Sequence, residues 1–270
     1  MEQYQRILVT SCKGGVGKST VSANLANALI KRGKRVLLVD MDLGNRSLDI
    51  MLGFEDSALF DVCDVAAGRA SAERALLCSE GREGMFFCPA PYLFDGDLTA
   101  EGLNSALLAM EAYCAPDYTI LDTSGGADCS VQLSAECAKR AIIVTTPAPT
   151  AVRAAEKSGD LLVGHGVEDL MLVVSGMETD PRNAGEHYGV NEMIDRTSVR
   201  IVGIVPRDAK LALLGERGLL CGENKRIKAI SERAFDNIAA RLDGEQVPLL
   251  YKVRGIRNRK KLLMSGRGSR

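Results

Sequence analysis

Seven short apolar runs punctuate the chain, at Arg6–Thr10, Arg35–Asp40, Met85–Cys88, Tyr118–Asp122, Arg140–Thr146, Leu170–Ser175 and Arg200–Val205. They are continuous rather than alternating, which is how a strand covered on both faces reads. Helical periods separate them. Val21, Leu25, Ala28 and Leu29 share one face of a helix that stops before Lys31, Arg32 and Gly33, a basic last turn followed by glycine. Further helices are predicted over Ala100–Ala112, closed by Pro116, and over Ser130–Ala138, Ala151–Leu162 and Ala229–Leu242, while Gly176–Gly189 reads as a loop. Strand and helix in alternation predict an α/β fold: a mostly parallel, twisted sheet of about seven strands with helices on both faces.

At 270 residues, 46% of them hydrophobic, the chain can bury one large core. A single domain over residues 1–250 is expected, followed by a tail, 251–270, of different character. That tail holds eight of the 34 basic residues and no acid, leaving 26 basic groups against 35 acids in the body. The body is acidic, which argues against a nucleic-acid partner. No apolar run approaches the roughly 20 residues of a membrane helix, and Met1–Arg6 lacks the layout of a secretion signal, so a cytoplasmic location is expected. The eight cysteines form no C-x-x-C pair and read as reduced thiols; His165 and His187 are isolated in sequence.

The chemistry concentrates between the first run and the first helix, in Ser11-Cys12-Lys13-Gly14-Gly15-Val16-Gly17-Lys18-Ser19-Thr20. A glycine-rich turn that opens a helix converges backbone N–H groups on an anion, and glycine lets the backbone approach without a Cβ. Gly14, Gly15 and Gly17 suit that use, Lys18 can reach the β- and γ-phosphates, and the Ser19 hydroxyl is placed for Mg²⁺. The alternative is a glycine turn that binds nothing; the strand before and helix after speak against it. The general phosphate-loop pattern would have glycine at position 12, where this chain has Cys12 followed by an additional lysine, Lys13. Two further acidic strand ends, Asp40-Met41-Asp42 and Leu121-Asp122, lie where open parallel sheets bind ligands.

Lys13 through Thr20 resembles the deviant Walker A motif of the MinD/ParA family of ATPases, whose signature is a lysine directly behind the first loop position. The resemblance implies ATP and Mg²⁺ as cofactors, with Gly14, Gly15, Val16, Gly17, Lys18, Ser19 and Thr20 around the nucleotide. It further implies an ATP-bound homodimer in which Lys13 acts on the partner's ATP, as an arginine finger would. Asp42 takes the water-positioning role of switch I, Asp40 supports the Mg²⁺ region, and Asp122 holds Mg²⁺ as the Walker B residue. Thr123-Ser124-Gly125-Gly126 stands where the family has Ser-Pro-Ala-Gly in switch II, and its two glycines predict a mobile turn. Pro206 and Asp208 match the family's adenine-side Pro-x-Asp segment. Departures occur at Asn45 and Ser47 in switch I and at Ser175-Gly176-Met177, where base-recognising Asn or Arg is usual.

The continuation Leu48–Gly53 and the segment Arg241–Glu245 are closer to MinD proteins than to plasmid ParA proteins, which implies a positioning ATPase that answers to an activating protein partner. Leu249, Leu250, Val253, Ile256 and Leu263 form an incomplete apolar stripe amid the basic tail. Three readings of 251–270 stay open: an anchor on an anionic membrane, a solubilising end, and a nucleic-acid contact. Alternative functions are a regulator of flagellar number, a partitioning ATPase, and an iron-protein-like redox ATPase using Cys129 and Cys88.

Overall fold

The computed structural model describes residues 5–179, 185 and 187–249, so the tail expectations for 251–270 fall outside the described residues. Among these residues seven strands carry the fold: β1 (Gln5–Ser11), β2 (Val36–Met41), β3 (Met85–Cys88), β4 (Tyr118–Gly125), β5 (Arg140–Thr145), β6 (Asp169–Met177) and β7 (Arg200–Pro206). They pair in the order β3-β2-β4-β1-β5-β6-β7, every ladder parallel. Each apolar run of the sequence became one strand, its backbone polar groups paired with the neighbouring strands and both its faces covered.

Among the described residues ten helices accompany the strands: α1 (Lys18–Lys31), α2 (Leu48–Leu52), α3 (Val62–Ala66), α4 (Ala72–Ala75), α5 (Ala100–Cys114), α6 (Cys129–Cys137), α7 (Pro149–Gly164), α8 (Val190–Thr197), α9 (Ala209–Gly215) and α10 (Glu232–Leu242). The strand pleat divides the core in two. Ile7, Val9, Val36 and Leu38 face a layer made by α1, α2, α9 and α10, whereas Leu8, Leu37 and Val39 face α3 through α8. Within the first layer, α10 presses so closely on β7 that a Cβ on Gly203 would lie 2.2 Å from Ile238 Cγ1.

Caps explain where several helices begin. Thr99 accepts from the Gly102 N–H to open α5, and Asp128 accepts from the N–H groups of Ser130 and Val131 to open α6. The last helix starts at Glu232 rather than Ala229. Five helices were not predicted, α2, α3, α4, α8 and α9, each at most eight residues long and too short for a periodic signal.

Candidate functional site

The site forms where β1, β2 and β4 end side by side. Between β1 and α1 the chain turns through Gly15 at φ +73° and Gly17 at φ +95°, left-handed conformations that glycine adopts without strain. No side chain caps the start of α1, so its first N–H groups remain available to an anion. The loop is fixed from outside. Cys12 N–H donates to Ser158 Oγ at 2.9 Å, Lys13 N–H donates to Ser11 Oγ at 3.1 Å, and Val16 buries its side chain in the core. Cys12 avoids the left-handed region, so nothing in its backbone demands the glycine of the general pattern.

The two lysines of the loop go to different places. Lys18 is buried, with Nζ 3.2 Å from where a Cβ on Gly125 would stand. Lys13 reaches outward, and its Nζ donates to Thr150 Oγ1 at 2.8 Å at the start of α7. Ser19 and Ser22, one turn apart on α1, both turn toward Asp122.

Asp122 is fully buried. Its Oδ1 accepts from Ser22 Oγ at 2.6 Å, while Oδ2 is buried without a hydrogen-bond partner. Burial pushes its pKa up to about 6, and the hydroxyls of Ser22 and Ser19, with Lys18, oppose that rise. A buried acceptor with nothing to accept is what a hydrated Mg²⁺ would satisfy, and Ser19 supplies a second oxygen nearby. Among the described residues no group of three or more His, Cys, Asp or Glu could hold a metal. Mg²⁺ takes few protein ligands and completes its shell with phosphate and water.

Asp40 stands beside Asp122 in the β2–β4 ladder. Its oxygens are occupied: Oδ1 accepts from Asp42 N–H at 2.9 Å and Oδ2 from Leu48 N–H at 3.3 Å. Burial first, and the neighbouring Asp122 second, push its pKa up to about 8. The sequence placed Asp40 in the Mg²⁺ region as a supporting group; in the structure it stands beside Asp122 and its carboxylate also joins the two ends of the 42–48 loop. Asp42 itself is half-buried and accepts from Asn45 Nδ2 at 3.2 Å, which gives the departure at position 45 a local purpose. Arg46 is buried, pairs with Asp49 at 2.7 Å and lies over the Tyr92 ring at 4.1 Å.

Switch II is held rather than loose. Thr123 Oγ1 donates to Val9 C=O, Gly126 N–H donates to Ser11 C=O at 3.0 Å, and Ser124 bonds to Asp128 and Ser130. Gly125 has a use besides mobility, since its missing Cβ permits close approach of the Gly14 backbone. On the base side, Pro206 ends β7 and is buried. The Asp208 carboxylate caps α9 through Lys210 N–H at 3.0 Å and accepts from Ser231 N–H and Oγ, both at 3.2 Å. Those donors bind Asp208 to protein, not to open space.

Ser22, Thr150 and Ser158 were not singled out by sequence. Only Ser22 carried a signal, its three-residue spacing from Ser19 on a helix.

The family profile ParA, described as NUBPL iron-transfer P-loop NTPase, matches residues 3–243. The chain belongs to the ParA family of P-loop NTPases. Among its relatives, the septum site-determining protein MinD of Bacillus subtilis is 34% identical over 248 residues, 91% of each chain. MinD of Synechocystis is 33% identical over 247 residues, 90% of this chain and 91% of that one. A solved MinC:MinD cell division complex from Aquifex aeolicus superposes with a TM-score of 0.83 at 30% identity, covering 92% of this chain and 99% of that one. MinD of Pyrococcus horikoshii, solved with Mg-ADP, shares the fold at 24% identity and a TM-score of 0.74. Members of the ParA family hydrolyse ATP with Mg²⁺, and this chain is such an ATPase. The redox alternative finds Cys88 fully buried on β3 and Cys129 exposed at the start of α6.

Proposed function

We propose that this ATPase is MinD-like: it binds MgATP, pairs with a second copy in the ATP-bound state, and hydrolyses ATP as a spatial switch for division-site placement or a related positioning task. One observation carries the reading. Lys18 is buried at the phosphate cradle, while Lys13, five positions earlier, is turned outward onto Thr150 and is free of its own cradle.

In this mechanism the backbone N–H groups of Gly14 to Thr20 bind the phosphates, and Lys18 neutralises their charge from beneath. Ser19 and Asp122 would hold Mg²⁺, which would supply a Lewis acid to screen the charge on the phosphoryl oxygens. Asp42 orients the attacking water, and Asp40 keeps Asp42 in place through the bond to its N–H. Lys13 leaves Thr150 and reaches the partner's terminal phosphate, where a fixed cation stabilises the transition state. Pro206 flanks the base. An activating protein partner and attachment to an anionic membrane through 251–270 complete the proposal, with the protein cycling between cytoplasm and membrane surface. No helix among the described residues is long and apolar enough to cross a membrane.

The decisive experiment measures MgATP binding and molar mass of the full chain with ATP and with ADP. Binding with ATP-specific dimers is expected. A chain that binds no MgATP, or binds and stays monomeric, overturns the reading. Co-sedimentation with anionic liposomes in the two nucleotide states tests the membrane part; pelleting independent of nucleotide would overturn it.

A further inference from the structure

A serine inside a helix ordinarily returns its hydroxyl to the carbonyl four residues back. Ser105 does so, donating to Glu101 C=O at 2.8 Å, and Ser158 does so, donating to Ala154 C=O at 3.0 Å. Ser22 does not. It lies on the face of α1 turned to the sheet, where its neighbours one turn on, Leu25 and Ala26, are apolar and fully buried, and it is itself fully buried. From there its Oγ donates across to Asp122 Oδ1 on β4 at 2.6 Å. A hydroxyl in so apolar a place is costly unless bonded, and this carboxylate is its recorded partner.

The two carboxylates that stand side by side differ in how they are held. Asp40 has a backbone N–H on each oxygen, from Asp42 and from Leu48. Asp122 is held at Oδ1 by Ser22 and leaves Oδ2 buried without a partner, on a carboxylate that Ser19 and Lys18 also face. With one oxygen tied, the carboxylate cannot turn about its last torsion, and which oxygen is left over is settled before any ligand arrives. We propose that Ser22 is a positioning residue for Mg²⁺: by holding Oδ1 it presents Oδ2 of Asp122 to the hydration shell of the metal, next to the Ser19 hydroxyl. The assignment rests on the reading of Asp122 as the Mg²⁺ residue. Ser22 reaches no part of the phosphate loop in this arrangement, so its effect belongs to the metal and not to the nucleotide.

The test uses the full chain with ADP, which gives no turnover, and Mn²⁺, which accepts the same oxygen ligands as Mg²⁺ and is counted by its EPR signal. Ser22→Ala is expected to weaken Mn²⁺ binding by about tenfold or more, while ADP binding in EDTA stays within about twofold. Ser22→Cys keeps the shape with a weak donor, and is expected to fall within about threefold of the alanine variant. Ser134→Ala removes a buried hydroxyl that has no partner, and should leave both affinities within about twofold. Unchanged Mn²⁺ binding in either Ser22 variant overturns the proposal. So does an equal weakening of ADP in EDTA, which would make the bond a support of the fold alone. Asp122→Asn on the same footing is expected to lose about a hundredfold in Mn²⁺ affinity. If Asp122→Asn retains Mn²⁺, the reading of Asp122 fails; if it loses Mn²⁺ and the Ser22 variants do not, only the role of Ser22 fails.

Discussion

A Cβ placed on Gly125 would lie 2.8 Å from the Cα of Gly14, so the phosphate loop and switch II touch backbone to backbone. Neither side can yield as a long side chain would, since a Cβ is fixed rigidly to its backbone and the Cα of Gly14 belongs to the main chain. Gly125→Ala is therefore expected to push the loop away from Lys18, with a stability cost of about 1–3 kcal/mol and a loss of ATP affinity of about tenfold or more. Gly126→Ala is the control, because its Cβ meets nothing nearer than 4.0 Å. Thermal melts and titration with a fluorescent ATP analogue would check both; equal behaviour of the two variants would remove the contact from the argument.

Two buried carboxylates side by side give the nucleotide-free protein an unusual pH dependence. Asp40 is raised to about 8 and Asp122 to about 6, so the folded state holds protons that the unfolded chain gives up near pH 4. The folded state binds more protons, and stability falls as pH rises through this window. From pH 6 to 8 the loss from Asp40 is on the order of 2 kcal/mol, and from pH 8 back toward 6 it is regained. Asp40→Asn should flatten that slope in melting temperatures taken without nucleotide at constant ionic strength. An unchanged slope would show that another group is responsible.

Much of this molecule was legible in its residues, for a physical reason in each case. The seven strands were visible because a doubly buried strand must be apolar throughout, and the phosphate loop because left-handed turns and close backbone approach select glycine. What escaped was polar and long-range. Ser22 bonds Asp122 across 100 positions, and Cys12 is held by Ser158 across 146. Glu111, fully buried on α5, is satisfied by Arg6 and Thr119 of two strands. No spacing announces such pairs. Asp208, which the resemblance puts beside the base, also caps a helix start and accepts from Ser231, and no spacing announced those bonds either.

The contact between Gly203 and α10 offers a separate measure of the fold. Ile238 is fully buried and β-branched in a helix, so it has essentially one rotamer and cannot swing from a methyl introduced at 203. Gly203→Ala is expected to cost about 1–3 kcal/mol in urea unfolding, and Ile238→Ala about 2–5 kcal/mol. The double variant should cost less than their sum by about 1 kcal/mol or more, since the new methyl enters the space that Ile238 vacates. Strict additivity would mean that the helix shifts as a body instead.

The placement of Lys13 on Thr150, away from its own cradle, leads to the most specific expectation. Lys13→Ala should bind ATP within about threefold of the unaltered protein yet lose about a hundredfold in partner-stimulated hydrolysis, because it removes a donor used only in the transition state. Asp42→Ala should likewise bind and fail to turn over. Mixed together, the two inactive proteins should recover activity: in the heterodimer, the site that retains Asp42 receives Lys13 from the other subunit. Random pairing makes half the dimers mixed, each with one competent site, so about a quarter of the full rate is expected. If Lys13 acted on its own subunit's ATP, neither site of the heterodimer would be complete, and the mixture would stay as inactive as its components.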